Sequence, residues 1–311
     1  MAGLAVVLPT CRPESLETFV AAWEDQFARH NVELIVVEDK QSTWDKLPAF
    51  VPNRTGSIRS YGFLQAYERG YDVVTLDDDC LPAPDVDLIA EYQTGFDTKF
   101  AVSSYYDIGH EFGLDEYMRG FPFYDRDKAR PVLQYGGWDN VPDLDAITQA
   151  EHERHGPVGG YRFDRRVVAI PRGAAFTGCI MNVAIAHEAI PMMYQLIMGN
   201  DRVGYDRWDD IWSGLFAKRI CDHLGLPIIV NGRASIVHTR ASDTASNRAK
   251  EQNGYVLNER MWRNLDAIVF EGTTIIECYQ ELADQLRPAW FGAEGHKIRD
   301  GVQQWLQALS G

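Results

Sequence analysis

The sequence is poor in the features that would tie it to nucleic acid, to a membrane or to a redox cofactor. Its 311 residues hold 45 Asp and Glu against 30 Lys and Arg, a formal net charge of −15. A surface of that sign repels nucleic acid and anionic lipid, so a phosphate-bearing ligand requires a local cluster of arginines, a metal ion, or both. No apolar run approaches the length of a membrane span. The first residues, MAGLAVVLPTCRPES, lack the basic region and long apolar core of a secretion signal. The five cysteines, Cys11, Cys80, Cys179, Cys221 and Cys278, are scattered and form no CxxC pair. That argues against a disulfide framework or a zinc site and fits a reducing, cytoplasmic compartment. No GxGxxG follows the first apolar run, which excludes the usual dinucleotide site and with it a bound flavin, and there is no Walker lysine motif.

What is present reads as an α/β protein. LAVVLPT (4–10) is a short apolar run closed by proline, VELIVVED (32–39) a second strand ending in acid, and DVVTLD (72–77) a third. Between them, Leu16, Phe19, Val20, Trp23 and Phe27 recur at helical spacing with Ser15 as a cap, and SIRSYGFLQAYERGY (57–71) reads as a helix. This β-α-β-α-β order predicts a doubly wound, mostly parallel sheet with helices on both faces. Ligands of such sheets bind beyond the carboxyl ends of the strands, where Thr10, Arg12, Glu38, Asp39 and Asp77 to Asp79 lie. The stretch 107–165, rich in Gly, Pro, Asp and aromatics, reads as long loops with short strands covering a substrate. RVVAIP (166–171) and ASIVH (234–238) read as further strands, and RWDDIWSGLFAKRICDHLG (207–225) as a helix stopped by Gly225. From 256 on the chain turns helical, with one stripe through Ile275, Tyr279, Leu282 and Leu286 and another through Ile298, Val302 and Trp305. The expected division is a nucleotide-binding catalytic region over 1–250 and a helical extension over 251–311.

The sharpest motif is VVTLDDDCLPAPD (73–85), in which a buried strand runs into three carboxylates. Alternation along an extended chain points Asp77 and Asp79 one way and Asp78 the other. Two carboxylates about 5 Å apart repel by about 3 kcal/mol at an effective dielectric of 20. Such a site must stay hydrated or take up a cation, and carboxylate oxygens suit Mg²⁺ or Mn²⁺ with positions left for phosphate. The competing reading is a solvated acidic turn. His238, at a later strand end, could complete the coordination or could be an ordinary satisfied histidine.

Beyond these patterns, the chain resembles the reversibly glycosylated polypeptides, the UDP-arabinopyranose mutase family, along nearly its whole length. The resemblance is carried by LPTCR, TLDDDC, RGFPFYDR, GGWDNVPDLDAITQ, YRFDRRVVAIPRG, CIMN, YDRWDDIWSG, ICDHLGL, HTRAS and TTIIECYQELADQL. It implies a GT-A-type fold, UDP-sugar binding, a divalent metal, interconversion of UDP-arabinopyranose and UDP-arabinofuranose, and self-glycosylation on an arginine. Carried over by position, the triple aspartate is Asp77, Asp78 and Asp79, with Asp79, Asp77 and His238 as metal ligands. The arginine before the VxxIPKG-like strand is Arg162, and the second acidic pair is Asp209 and Asp210. The sequence departs from the pattern where Arg172 replaces the lysine of IPKG and where AEHERHGPVGG (150–160) differs in length, which leaves the sugar open.

The positions of Thr10, Arg12 and Asp39 suit a uracil edge and ribose hydroxyls, although Asp39 could instead cap a helix. Arg59 and Arg119 could neutralise phosphate oxygens. Trp138, Trp208 and Trp212 could stack on a sugar or base, with Trp212 at core spacing. Asp209 and Asp210 either favour a helix start through its dipole or stabilise positive charge at an anomeric carbon. The implied chemistry has a metal on Asp79 stabilise departing UDP while Asp209 or Asp210, or transiently an enzyme nucleophile, holds the anomeric centre. Glycosylation at Arg162 would need an unusual environment, since arginine stays protonated. Two rivals are a retaining glycosyltransferase with a separate acceptor and a non-catalytic UDP-sugar-binding subunit. Association into a homo-oligomer is compatible with either.

Overall fold

In the computed structural model of the chain, residues 3–310 are described apart from 112, 115, 200, 201, 241 and 242. Strand β1 (Leu4–Thr10) runs into helix α1 (Pro13–His30), whose buried side is Phe19, Trp23 and Phe27. Arg12 occupies the cap position without a side-chain cap, and Pro13 supplies the first helical turn with a preset φ. The expected cap at Ser15 is therefore not used, because Pro13 starts the helix two residues earlier. Strand β2 (Glu33–Glu38), a short helix α2 (Gln41–Trp44), helix α3 (Ile58–Glu68) and strand β3 (Asp72–Leu76) follow.

Strand β1 lies between β2 and β3 and is parallel to both. The chain steps from β1 to β2 and then back over β1 to β3, so right-handed crossovers place α1 and α3 on opposite faces. Ala5 to Leu8 are accordingly buried on both sides. Gly62 lets α3 approach closely: a Cβ there would stand 2.5 Å from Val7 Cγ1 and 3.0 Å from Val37 Cγ2.

The next elements are β4 (Cys80–Pro82), α4 (Leu88–Asp97), β5 (Phe100–Ala101), α5 (Ile108–Glu111) and β6 (Lys128–Ala129). Strands β5 and β6 make a separate two-stranded ribbon. Then come β7 (Leu133–Asn140), α6 (Ala146–Glu153), β8 (Val167–Ala169), β9 (Asn182–Ile185), α7 (Asp209–Leu224) and β10 (Ile228–His238). The main sheet has the order β2-β1-β3-β9-β7-β10-β4, with β8 paired to β10. Strands β1, β2, β3, β7 and β10 share one direction, and β4, β8 and β9 run against them. The result is a mixed α/β sheet, largely parallel in strand direction.

The stretch 107–165 differs from the expected loops. It contains β7, an eight-residue strand in the middle of the sheet, and α6, capped by Asp145. Its sequence, LQYGGWDN, hides the strand behind two glycines that the packing demands. A Cβ on Gly136 would meet Asn182 Nδ2 and Tyr92 Oη at 2.3 Å and Ala234 O at 2.4 Å. Strand β10 begins earlier than the ASIVH reading and carries an irregularity between Asn231 and Ser235.

Helices α8 (Thr244–Glu251), α9 (Tyr255–Asp266), α10 (Ile275–Gln285) and α11 (Gly295–Leu309) close the chain. Their apolar faces join the sheet's core. Trp305 stacks on Tyr194, its ring nitrogen donates to Pro191 O, and Met261, Leu265, Tyr279 and Leu282 are buried in the same cluster. Among the described residues no helix is long and apolar enough to cross a membrane.

Candidate functional site

The carboxyl ends of β1, β2 and β3 meet α7 across a cavity of about 520 Å³. Thr10, Arg12, Asp39, Arg59, Asp77, Asp78, Asp209 and Asp210, all singled out in the sequence, line it together.

The three aspartates do not continue β3. Cys80 N–H donates to Asp77 O, so Asp77 to Cys80 form a tight turn, and simple alternation gives way to a fan in which Arg12 reaches both Asp78 and, at 3.6 Å, Asp79, while Asp77 turns to Arg59. Asp78, only 4% exposed, accepts from Thr10 Oγ1 and from Arg12 Nε at 3.1 Å, and Arg12 Nη2 pairs with its other oxygen. Arg12 is thereby forked onto a carboxylate at the mouth of β1. Asp77 is paired with Arg59, a buried cation on α3 that also donates to Thr75 Oγ1. Asp79 turns toward the end of β10, where Arg240 Nη2 lies 2.8 Å from its Oδ2 and His238 Nε2 3.7 Å from its Oδ1.

Burial, with the neighbouring Asp77 charge second, pushes the Asp79 carboxyl above its ordinary value. Its Oδ1 is buried and has no hydrogen-bond partner. Opposite it, His238 Nδ1 is fixed at 2.8 Å on Val141 O, which assigns the proton to Nδ1 and leaves the Nε2 lone pair facing Asp79. An orphaned carboxylate oxygen beside an oriented imidazole lone pair fits a divalent cation that takes its remaining ligands from phosphate. Asp77 is not part of that pair, and among the described residues no group of three or more His, Cys, Asp or Glu side chains stands ready to hold a metal by itself.

Asp39 follows β2 directly and accepts from the Arg54 backbone N–H at 3.1 Å and from the Trp44 ring nitrogen. It thus ties down the short α2 and the loop after it while facing the cavity.

The far wall is acidic. Asp210 Oδ2 accepts from Ile180 N at 3.2 Å and its Oδ1 from Ile211 N at 2.9 Å. Burial, then the charge of Asp143, raises its carboxyl from 3.8 to about 6. Asp209 is pushed well above its ordinary range by burial and by the Asp210 charge. Gly56 presses backbone against it: a Cβ there would fall 1.9 Å from Asp209 Oδ2.

Three further residues complete this wall, and none was singled out in the sequence. Asp143, raised chiefly by burial, follows β7 and faces Arg207 Nη2 at 3.9 Å. Arg207 adopts a left-handed backbone with φ 65 and is gripped by Glu251, whose Oε1 lies 2.8 Å from its Nε. Glu251, 3% exposed, also accepts from Ala146 N at 2.9 Å and from the Tyr255 hydroxyl. Asp143 could have been found only by recognising β7, and Arg207 stands in the sequence immediately before the WDD motif.

The remaining sequence-singled residues lie elsewhere. Trp138 on β7 packs among Tyr161 and Phe163, with ring centroids 5.2 and 5.3 Å away, and does not line the cavity. Arg119 and Arg162 are exposed on loops outside its lining. Trp208 forms part of the wall, whereas Trp212 is fully buried. The five cysteines are free, and Cys179 borders the cavity beside Asp143.

Comparison with known proteins gives one consistent answer. Residues 48–310 match the family described as "Reversibly glycosylated polypeptide". A protein of Pisum sativum named "Probable UDP-arabinopyranose mutase 1" is 30% identical, covering 98% of this chain and 90% of its own length. A protein of Solanum tuberosum with the same name is 32% identical over 82% of this chain and 71% of its own. "UDP-arabinopyranose mutase 1" of Arabidopsis thaliana is 31% identical over 82% of this chain and 72% of its own.

Proposed function

The chain belongs to the reversibly glycosylated polypeptide family, and on that premise we propose that it is a metal-dependent UDP-sugar mutase with a GT-A-type fold. It would interconvert the pyranose and furanose forms of a UDP-linked pentose such as arabinose. The observation that carries this reading is the union, in one cavity, of the polar ends of β1, β2 and β3 with the acidic start of α7.

The nucleotide half falls to Thr10, Arg12 and Asp39, with Arg59 and Arg12 supplying the positive charge that a diphosphate needs in so acidic a chain. Asp79 and His238 would hold the divalent ion, Mn²⁺ or Mg²⁺, which when bound neutralises charge growing on the departing phosphate. Asp77, paired with Arg59, sets the charge next to that pair.

The sugar half falls to α7. With its carboxyl raised to about 6, Asp210 is mostly ionised at neutral pH, whereas burial and the Asp210 charge push Asp209 well above its ordinary range and favour its protonated form. Two adjacent carboxyls pushed apart in this way divide into a base and an acid. As the bond from the anomeric carbon to UDP breaks, Asp210 stabilises the positive charge left on that carbon. The hydroxyl that closes the new ring bonds to that carbon and gives its proton to Asp210, and Asp209 then protonates the old ring oxygen as its bond to the carbon breaks. UDP then returns to the anomeric carbon. Arg207, anchored by Glu251, offsets part of the charge of Asp143 and Asp210. Arg162 is assigned no step in this scheme, since it lies outside the cavity.

The test is incubation of the protein with UDP-arabinopyranose, and with a panel of UDP-pentoses and UDP-hexoses, in the presence of Mn²⁺. Chromatography should resolve a UDP-furanose product at equilibrium with its pyranose form. Release of UDP that depends on an added acceptor sugar would point to a transferase in place of a mutase.

A further inference from the structure

A second cavity, of about 800 Å³, lies under the loop between β5 and β6 and shares no lining residue with the first. Its composition runs against the rest of the molecule. In a chain of net charge −15, five cations, Lys99, Lys128, Arg165, Arg166 and Arg233, face it with a single carboxylate, Asp107. That carboxylate is committed to its own loop, accepting from Gly109 N at 2.9 Å and Met118 N at 3.2 Å. Arg165 and Arg166 are paired with Asp139 and Asp164, and Lys128 sits over the Tyr117 ring at 5.6 Å. Lys99 and Arg233 are exposed and have no ion-pair partner among the described residues.

The walls between these cations are aromatic. Tyr105 and Tyr106 are 57% and 65% exposed, which leaves ring surface and hydroxyls facing outward at the rim, and Phe121 lies beside them. Ring faces pack against the apolar face of a sugar, tyrosine and serine hydroxyls match its hydroxyls, and unpaired ammonium and guanidinium groups attract an acid. The volume is that of an ordinary small-ligand site. None of these residues has a part in holding the main sheet's nucleotide end, so their gathering has no explanation in the first cavity.

We propose that this second cavity is a binding site for an acidic saccharide, separate from the nucleotide-sugar cavity. Lys99 and Arg233 recognise the acid, and Tyr105 and Tyr106 hold the sugar face. The site does not depend on the mutase reading, because no residue of the first cavity contributes to it.

Isothermal titration with trigalacturonate, galactotriose and inorganic phosphate, each with and without saturating UDP, tests it. Trigalacturonate should bind saturably, tighter than galactotriose and tighter than phosphate, and UDP should not displace it. Reversing both exposed charges, Lys99→Glu with Arg233→Glu, should weaken trigalacturonate at least about tenfold while leaving UDP affinity unchanged. Tyr106→Ala should weaken both saccharides but not phosphate. Absence of saturable trigalacturonate binding overturns the proposal, as does binding that survives the charge reversal. Displacement by UDP would put the ligand in the first cavity, and equal affinity for phosphate would remove the saccharide from the recognition; either result refutes the assignment.

Discussion

His238 Nε2 stands 3.7 Å from Asp79 Oδ1, across the junction between the turn after β3 and the end of β10. The imidazole is oriented from behind by Val141 O and the carboxylate oxygen is buried without a partner. Two segments 160 residues apart in sequence, bridged also by the Thr239 N–H and hydroxyl both donating to Asp79 O, thus bring two unshared lone pairs face to face.

A cation placed there relieves the burial and the Asp77 repulsion that raise the Asp79 carboxyl. Mn²⁺ should therefore raise the thermal midpoint of the protein without any sugar present, and Asp79→Asn should abolish that rise. The same variant, or excess chelator, should lower UDP-sugar turnover by at least about 10²-fold. Full turnover in chelator would remove the metal from the mechanism.

Under the proposed function Asp209 and Asp210 act on the sugar and not on UDP. Asp209→Asn and Asp210→Asn should each cost about 10²–10⁴ in kcat. UDP affinity, measured by titration of the same preparations, should stay within about twofold, well inside the 1.4 kcal/mol that marks a tenfold change. If the pair served only to start α7, the loss would be about 1 kcal/mol of stability with normal turnover.

The raised carboxyl of Asp210 has a signature in stability as well. The folded protein holds this proton up to about pH 6, whereas an open chain releases it near 3.8. Between those values the folded state binds more protons, so the group's contribution to stability falls as pH rises through the window. Asp210→Asn removes the ionisation. Its stability relative to the parent chain, from urea midpoints at pH 4, 5, 6 and 7, should rise from pH 4 to pH 6 and then level off. A difference that is flat or declining would show that the carboxyl is not raised.

Gly56 offers a way to move Asp209, a catalytic group in the proposed scheme, without touching it. An alanine there would place its methyl against Asp209 Oδ2, and the carboxylate, as the freer of the two, must swing away. Gly56→Ala should keep the parent's circular dichroism and melt within a few degrees of it while lowering kcat at least about tenfold, the cost of a misplaced group. Unchanged turnover would mean that Asp209 works equally well from another position.

Much of the cavity wall formed by β1, β2 and β3 was readable in the sequence because each strand there is an uninterrupted apolar run with its polar residue immediately after it. Thr10, Asp39 and Asp77 could be placed from that pattern alone, and Gly225 correctly ended α7 in the left-handed cap. The rest was hidden for specific reasons. Strand β7 reads as a loop since Gly136 and Gly137 interrupt its pattern, yet those glycines are what allow Asn182, Tyr92 and Ser235 to crowd against it. With β7 unseen, Asp143 had no strand end to belong to. The fan of Asp77, Asp78 and Asp79 depends on a turn that starts one residue after Leu76, and alternation holds only while the chain stays extended. Glu251 lies before the helices read from 256 on and nothing in the sequence marks it; only tertiary packing gives it Arg207, Ala146 and Tyr255 as partners.

The place of β9 between β3 and β7 bears on how the chain must be assembled. On the ribosome, β1, β2 and β3 can pair as soon as residue 76 has emerged, but the open edge of β3 waits for residues 182–185. About a hundred residues of chain are made in the interval, and an uncovered apolar strand edge over that span is an invitation to pair with another molecule. The triple aspartate begins at the very end of that edge. Its three carboxylates give the waiting strand a charged terminus, so the feature that later serves the site also acts as a gatekeeper while the partner strand is still being synthesised.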